Sequence, residues 1–248
     1  MSFRVPLRYA GWMARDAAVR PGLAVVAFAV LFAFFATRLP GPLSATFAKD
    51  FLTRTIGQTD WLIVLIATTG MVSWDRTSGY YRTLFSHPVD PGLYYLQRWV
   101  VAGLAAALVI PLVGLGLLVV SGSFPWSGSL LVRFLIKYLL LGGLTFALST
   151  VVRADWAIAF TVSMLQSILY GLEKAGAPLS AFTKWLAHVL PPFHLGSTAT
   201  MSPAALGVPT SAYPTGAELL HALSYGVGIL GVAMAVLRFR PLGSGGRV

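Results

Sequence analysis

From Trp99 to Val120 the chain runs without a single charged side chain. A helix that is apolar on every face belongs in a large core or in lipid, and a spanning helix needs about 20 mainly apolar residues. Six windows meet or approach that condition: Pro21 to Thr37, Trp61 to Trp74, Trp99 to Val120, Leu131 to Val152, Trp156 to Leu172 and Leu219 to Leu237. With only 10% charged residues in 248, 56% hydrophobic residues and a mean hydropathy of +0.76, little is left for a soluble domain. The expected fold is all-α, one polytopic membrane domain of six spans over residues 1–248. The second window is short for a hydrocarbon layer of about 30 Å and must borrow from Thr55 to Asp60 or sit where the bilayer is thinned. Arg133 and Lys137 lie near one end of the fourth, where long side chains snorkel to the interface. Trp61, Trp74, Trp99, Trp126, Trp156 and Trp185 fall at window ends or in loops, as an interfacial aromatic belt requires.

Charge sets the orientation. Eleven Lys and Arg residues fall on the side of both termini and seven on the other, so both termini are expected in the cytoplasm. The net charge of +10 is scattered between spans and gives no nucleic-acid footprint. The absence of cysteine excludes a disulfide framework, thiolate metal sites and a cysteine nucleophile. Metal binding and catalysis find little support otherwise. Glu218 and His221 have helical i, i+3 spacing, which helix capping explains equally well, and no Ser-His-Asp arrangement or membrane-protease motif can be assembled. No Gly-x4-Gly-Lys-Ser/Thr phosphate loop occurs. No catalytic residue and no metal site is therefore assigned.

Between the second and third windows stands Trp74-Asp75-Arg76-Thr77-Ser78-Gly79-Tyr80-Tyr81-Arg82-Thr83-Leu84-Phe85-Ser86-His87-Pro88-Val89. A short helix from Ser78 to Ser86, stopped by Pro88, would gather Tyr81, Leu84 and Phe85 into an apolar ridge flanked by Asp75, Arg76 and Arg82. An exposed ridge of this kind is a protein-docking surface. The order of acidic residue and Arg, Gly79, Leu84 and Pro88-Val89 resembles the first cytoplasmic loop of the type-2 ABC exporter permeases. The resemblance covers about fifteen residues closely and the six-span layout loosely. It implies a transmembrane subunit that forms the substrate path as a dimer, with a second copy or a homologue. A separate ABC ATPase subunit, which holds the ATP and Mg, would dock on Asp75, Arg76, Gly79, Tyr81, Arg82, Leu84, Phe85 and Pro88 within a coupling loop over 75–98. The chain itself would be no enzyme and carry no cofactor.

Two further segments fit that picture. Over residues 1–20, Arg4, Arg8 and Arg15 share one helical stripe and Phe3, Leu7, Met13 and Ala17 another, the pattern of a helix lying on lipid headgroups; it is similar to the amphipathic elbow of that family. The first window lacks a small-x-small cleavage site and is expected to stay as a signal anchor. The outer segment over 173–218 is broken by Pro178, Pro191, Pro192, Pro203, Pro209 and Pro214. Between Ser180 and Leu190 it holds an amphipathic run with Phe182, Trp185, Leu186 and Val189, resembling the short re-entrant helices that precede the last span in the family. In the fifth window Ser163, Gln166, Ser167 and Tyr170 share a face. That stripe is either interhelical hydrogen-bonding or, for Ser163, Gln166 and Tyr170, part of the substrate path. The expected setting is the cytoplasmic membrane of a bacterium. A stand-alone channel or secondary transporter, or a scaffold subunit of a larger membrane complex, remains the alternative, and the transported substrate does not follow.

Overall fold

The computed structural model describes residues 59–79, 90–122, 128–196 and 215–239, with Gly11, Gly57 and Phe124 besides. The elbow, the first window and the loop residues Tyr81, Arg82, Leu84, Phe85 and Pro88 lie outside them. Among the described residues the chain is entirely helical, with no strand. We number α1 over 59–68, α2 Ser73–Thr77, α3 Pro91–Ala107, α4 Val109–Ser121, α5 Gly128–Lys137, α6 Gly143–Ser149, α7 Asp155–Lys174, α8 Ala181–Val189 and α9 Gly216–Phe239.

Among the described residues three helical stretches are long and apolar enough to cross a membrane: Pro91–Leu118, Gly128–Ser149 and Gly216–Phe239. The chain is a membrane protein. Of the six windows, the third, fourth and sixth thus stand as spans. The second is a broken helix, α1 and α2 separated by a turn over 69–72. The fifth forms α7, whose 20 residues reach about 30 Å at 1.5 Å per residue, but whose Asp155, Ser163, Gln166 and Ser167 leave it less apolar than the other three.

The third span starts well before Trp99. Asp90 caps it, its carboxylate accepting from the Leu93 N–H at 3.1 Å, and Pro91 takes the first helical position, where a missing N–H costs nothing. Residues 91–98 therefore belong to the span rather than to a loop reaching Arg98, and Trp99 sits in its third turn, buried, instead of in an interfacial belt. Trp74, Trp156 and Trp185, by contrast, are exposed. Pro111 explains the break between α3 and α4 at Leu108, since its ring meets the carbonyl of Ala107 and it has no N–H to give.

Between α5 and α6 the fourth span passes through a π-helical turn, Tyr138–Gly142. Here the helices pack closely. The Tyr138 hydroxyl donates to the Trp99 carbonyl at 2.6 Å, and the two rings lie 4.8 Å apart. A methyl group at Gly103 would strike the Tyr138 ring, and one at Gly226 would overlap Leu139. These glycines let α3 and α9 approach the fourth span closely.

Lys137, directly before that turn, does not snorkel. The helix begins at Gly128, so Lys137 is its tenth residue, about 14 Å along at 1.5 Å per residue. Its Nζ lies 2.6 Å from both carboxylate oxygens of Asp60, with both side chains almost wholly buried. The turn Phe193–Gly196 seats on the same residue, because a Cβ at Gly196 would meet Lys137 Cβ at 2.8 Å and its backbone at 3.0 Å.

Gly103→Ala should lower stability by about 1–3 kcal/mol, the usual cost of overpacking, because the Tyr138 ring is held by its hydroxyl and cannot swing away. Gly116→Ala, which meets nothing within 4 Å, should be neutral or slightly stabilising. Thermal unfolding of the two variants in one detergent checks the contrast; equal melting temperatures would contradict this packing.

Candidate functional site

The start of the expected docking loop is anchored inside the bundle. α1 stops at a glycine in the left-handed region, Gly70 with φ of 69°, which a side chain would strain. Its N–H donates to Asp155 Oδ2 at 2.8 Å, tying the turn to the start of α7. Next, Asp75 is turned inward. Its Oδ2 accepts from Arg98 Nη1 at 2.7 Å and from the Tyr95 hydroxyl at 3.2 Å, and it is 7% exposed. The same Arg98 nitrogen donates to the Met71 carbonyl at 3.0 Å. Arg76 then reaches across to the Thr150 carbonyl at 2.8 Å, in the turn that joins α6 to α7.

Three clasps thus fix the α1–α2 corner to α3, to the 150 turn and to α7. Gly79, at the far edge of this corner, again has positive φ, 72°, and a Cβ there would meet nothing within 4 Å. Of the charges expected to face a partner, Asp75 is committed internally and Arg76 spans to a neighbouring turn. Tyr95, Arg98, Asp155 and the Thr150 carbonyl were not anticipated. The Asp90-Pro91 pair was the signal for the first two, since a helix starting at Pro91 brings Tyr95 and Arg98 onto successive turns facing Asp75.

At the opposite end of α7 the segment over 175–196 folds back onto the bundle. α8 is capped by Ser180, whose Oγ accepts from the Thr183 N–H at 3.2 Å. It keeps Ala187 inside and Phe182, Trp185 and Val189 outside, the amphipathic helix the sequence implies. Gln166 reaches it from α7. Its Nε2 lies 2.9 Å from His194 Nδ1, and its Oε1 accepts from the His194 N–H at 3.3 Å. An amide donating to Nδ1 leaves the ring proton on Nε2, so the imidazole is neutral. Tyr170 stacks on that ring, centroids 3.6 Å apart and planes 10° from parallel.

A cavity of about 390 Å³ opens beside this stack, lined among others by Gln166, Tyr170, Leu190, Pro192, His194 and Glu218. Of the three path candidates it gathers Gln166 and Tyr170 but not Ser163, whose hydroxyl donates to the Phe160 carbonyl of its own helix at 2.9 Å. Thr68, Thr145 and Ser149 likewise bond back to their own helices. Glu218 closes a capping box with Thr215 at the start of α9, accepting from the Thr215 N–H at 2.8 Å while its own N–H donates to Thr215 Oγ1 at 3.3 Å. Among the described residues no group of three or more His, Asp or Glu side chains converges on a possible metal position.

The chain matches no family model, no curated protein and no solved structure.

Burial pushes the His194 imidazole down to about 4, although the Glu218 carboxylate opposes the shift. A histidine freed from this seat would take up a proton near its ordinary value of about 6.5. The undocked state therefore binds more protons between those two values, and docking weakens as pH falls from about 6.5 towards 4. Limited proteolysis within 175–192 should accelerate over that range in the wild type. The pH dependence should flatten in His194→Phe, which keeps the stack and removes the titrating group; an unchanged pH profile would contradict the assignment.

Proposed function

We propose that this chain is the transmembrane subunit of a type-2 ABC exporter, in the cytoplasmic membrane of a bacterium, with six spans and both termini in the cytoplasm. In this reading two permease copies, identical or homologous, form the path, and a separate ATPase binds ATP and Mg and docks on the segment after Asp75. The observation that carries it is the triple clasp at the α1–α2 corner. A loop that merely joined two spans would need no such base. Here Gly70, Asp75 and Arg76 are tied to three other elements, so the segment that follows, with Tyr81, Arg82, Leu84, Phe85 and Pro88, starts from a rigid platform. A force applied to that segment would reach α3 and α7 together, which is what nucleotide-driven switching between two membrane states requires. Asp75 then acts as an anchor and leaves partner contact to the ridge.

One observation speaks for the alternative of a stand-alone transporter. Asp60 and Lys137 form a buried ion pair within the bundle, and ionisable residues in such places commonly mark coupling sites. The pair has a structural role too, since Lys137 carries the turn at Gly196.

Changing Leu84 and Phe85 together to Ser decides between the two. A buried aromatic or aliphatic anchor at a protein interface is worth about 2 kcal/mol or more, roughly thirtyfold in affinity. The ATP-hydrolysing activity that copurifies with the wild-type permease should therefore be lost from the double variant at equal permease yield and equal melting temperature. Undiminished ATPase recovery would remove the docking claim and leave the stand-alone and scaffold readings in front.

A removal of the anchor should act differently. Asp75→Asn keeps shape but gives up the charge pairing with Arg98, and losing one partner of a buried pair costs about 3–5 kcal/mol at most sites. The variant should be less stable by an amount on that order while still binding the ATPase when folded, which differential scanning and copurification measure side by side.

A further inference from the structure

The outer cavity carries a ligand preference in its charges. Among its lining residues Glu218 is the one side chain with a fixed charge, and Leu190, Pro192 and Leu195 supply apolar wall. Tyr170 and His194 present aromatic rings, the latter neutral because Gln166 donates to its Nδ1. Of the Glu218 carboxylate, Oε2 is committed to the Thr215 cap. A second carboxylate stands close by: Glu173 Oε2 is buried and accepts no hydrogen bond, and His188 Nδ1, a lining residue, lies 3.6 Å from it, beyond hydrogen-bonding distance. Of the basic side chains nearby, His188 and His221 line the space, whereas Lys174 and Arg133 do not. Lys174 Nζ sits 5.5 Å from the Tyr170 ring centroid, and Arg133 interacts electrostatically with Glu218 from α5.

A concave space of about 390 Å³ is within the size range of small-molecule sites, which typically combine apolar walls with a few placed polar groups. A carboxylate with no fixed positive charge in the lining favours a cation through Coulomb attraction. We propose that this outer cavity binds an amphiphilic organic cation, with its apolar body against Leu190, Pro192 and Leu195 and its charge towards Glu218. The inference rests on reading the cavity as part of the substrate path and makes that substrate class cationic. It needs no ATPase to be tested, so its failure and the failure of ATPase docking are separate results.

The probes are tetraphenylphosphonium and tetraphenylborate, ions of nearly the same shape and opposite charge. Each is titrated into the purified chain in nanodiscs, with empty nanodiscs as the partition control. The wild type should bind the cation saturably and the anion only as the empty nanodiscs do. Glu218→Gln, which can still close the cap, should weaken cation binding about fivefold, the upper range for a partly exposed ion pair. Ala217→Trp puts a bulky side chain at a lining residue without altering charge and should abolish saturable binding. Equal binding of the two ions would overturn the proposal. So would cation binding that neither substitution changes, or wild-type binding no greater than in empty nanodiscs.

Discussion

Asp75 is the hinge on which the described part of the structure turns. Burying a carboxylate costs several kcal/mol unless its oxygens are met by donors, and here Arg98 and Tyr95, one helical turn apart on α3, supply them. That requirement fixes the rotation of α3 about its axis, because only one face carries both donors. Once α3 is set, Trp99 and Gly103 face the Tyr138 ring. The tight seam through the middle of the bundle follows from a charge at its end.

The two ends of the bundle are built on different chemistry. At the Asp75 end the bonds are ionic or charge-assisted, and they join four separate elements. At the His194 end a neutral amide and a neutral imidazole hold a proline-broken segment by a stack and by hydrogen bonds from Gln166 to His194 and Ala187, with the Tyr225 hydroxyl donating to the Val189 carbonyl besides. The first suits a platform that must move as one body. The second suits a cover whose attachment responds to its surroundings, since nothing in it is worth more than about 1–2 kcal/mol.

Much of the helical layout was legible in the sequence because apolar length is an additive signal. The cores of the third, fourth and sixth windows fall where the helices are, and the amphipathic run at Phe182 to Val189 forms the helix its periodicity implies. The errors lie at the ends. The Asp90-Pro91 pair, loop-like in local composition, is a cap and a first turn, and it carries Trp99 into the core and away from an interfacial belt. Lys137 was assigned to the interface because the helix was started three residues late. The partners of buried polar groups were the least legible. Asp155 with Gly70 is separated by 85 residues, and Gln166 with His194 by 28; no local pattern announces either. Gln166 and Tyr170 were picked out by their shared face, while Ser163, on the same face, satisfies itself against its own helix.

The π-helical turn Tyr138–Gly142 sets a phase. One extra residue in a helix of 3.6 residues per turn rotates everything before it by about 100° relative to everything after it. α6, beyond the turn, is faced to pack between α7 and α9; α5, before it, is faced to send Lys137 towards Asp60. A regular α-helix through the same residues could satisfy one of these demands but not both. The fourth span is therefore two differently aimed surfaces on a single rod, and the extra residue is what lets one helix serve the packing against α7 and α9 and the buried ion pair at once.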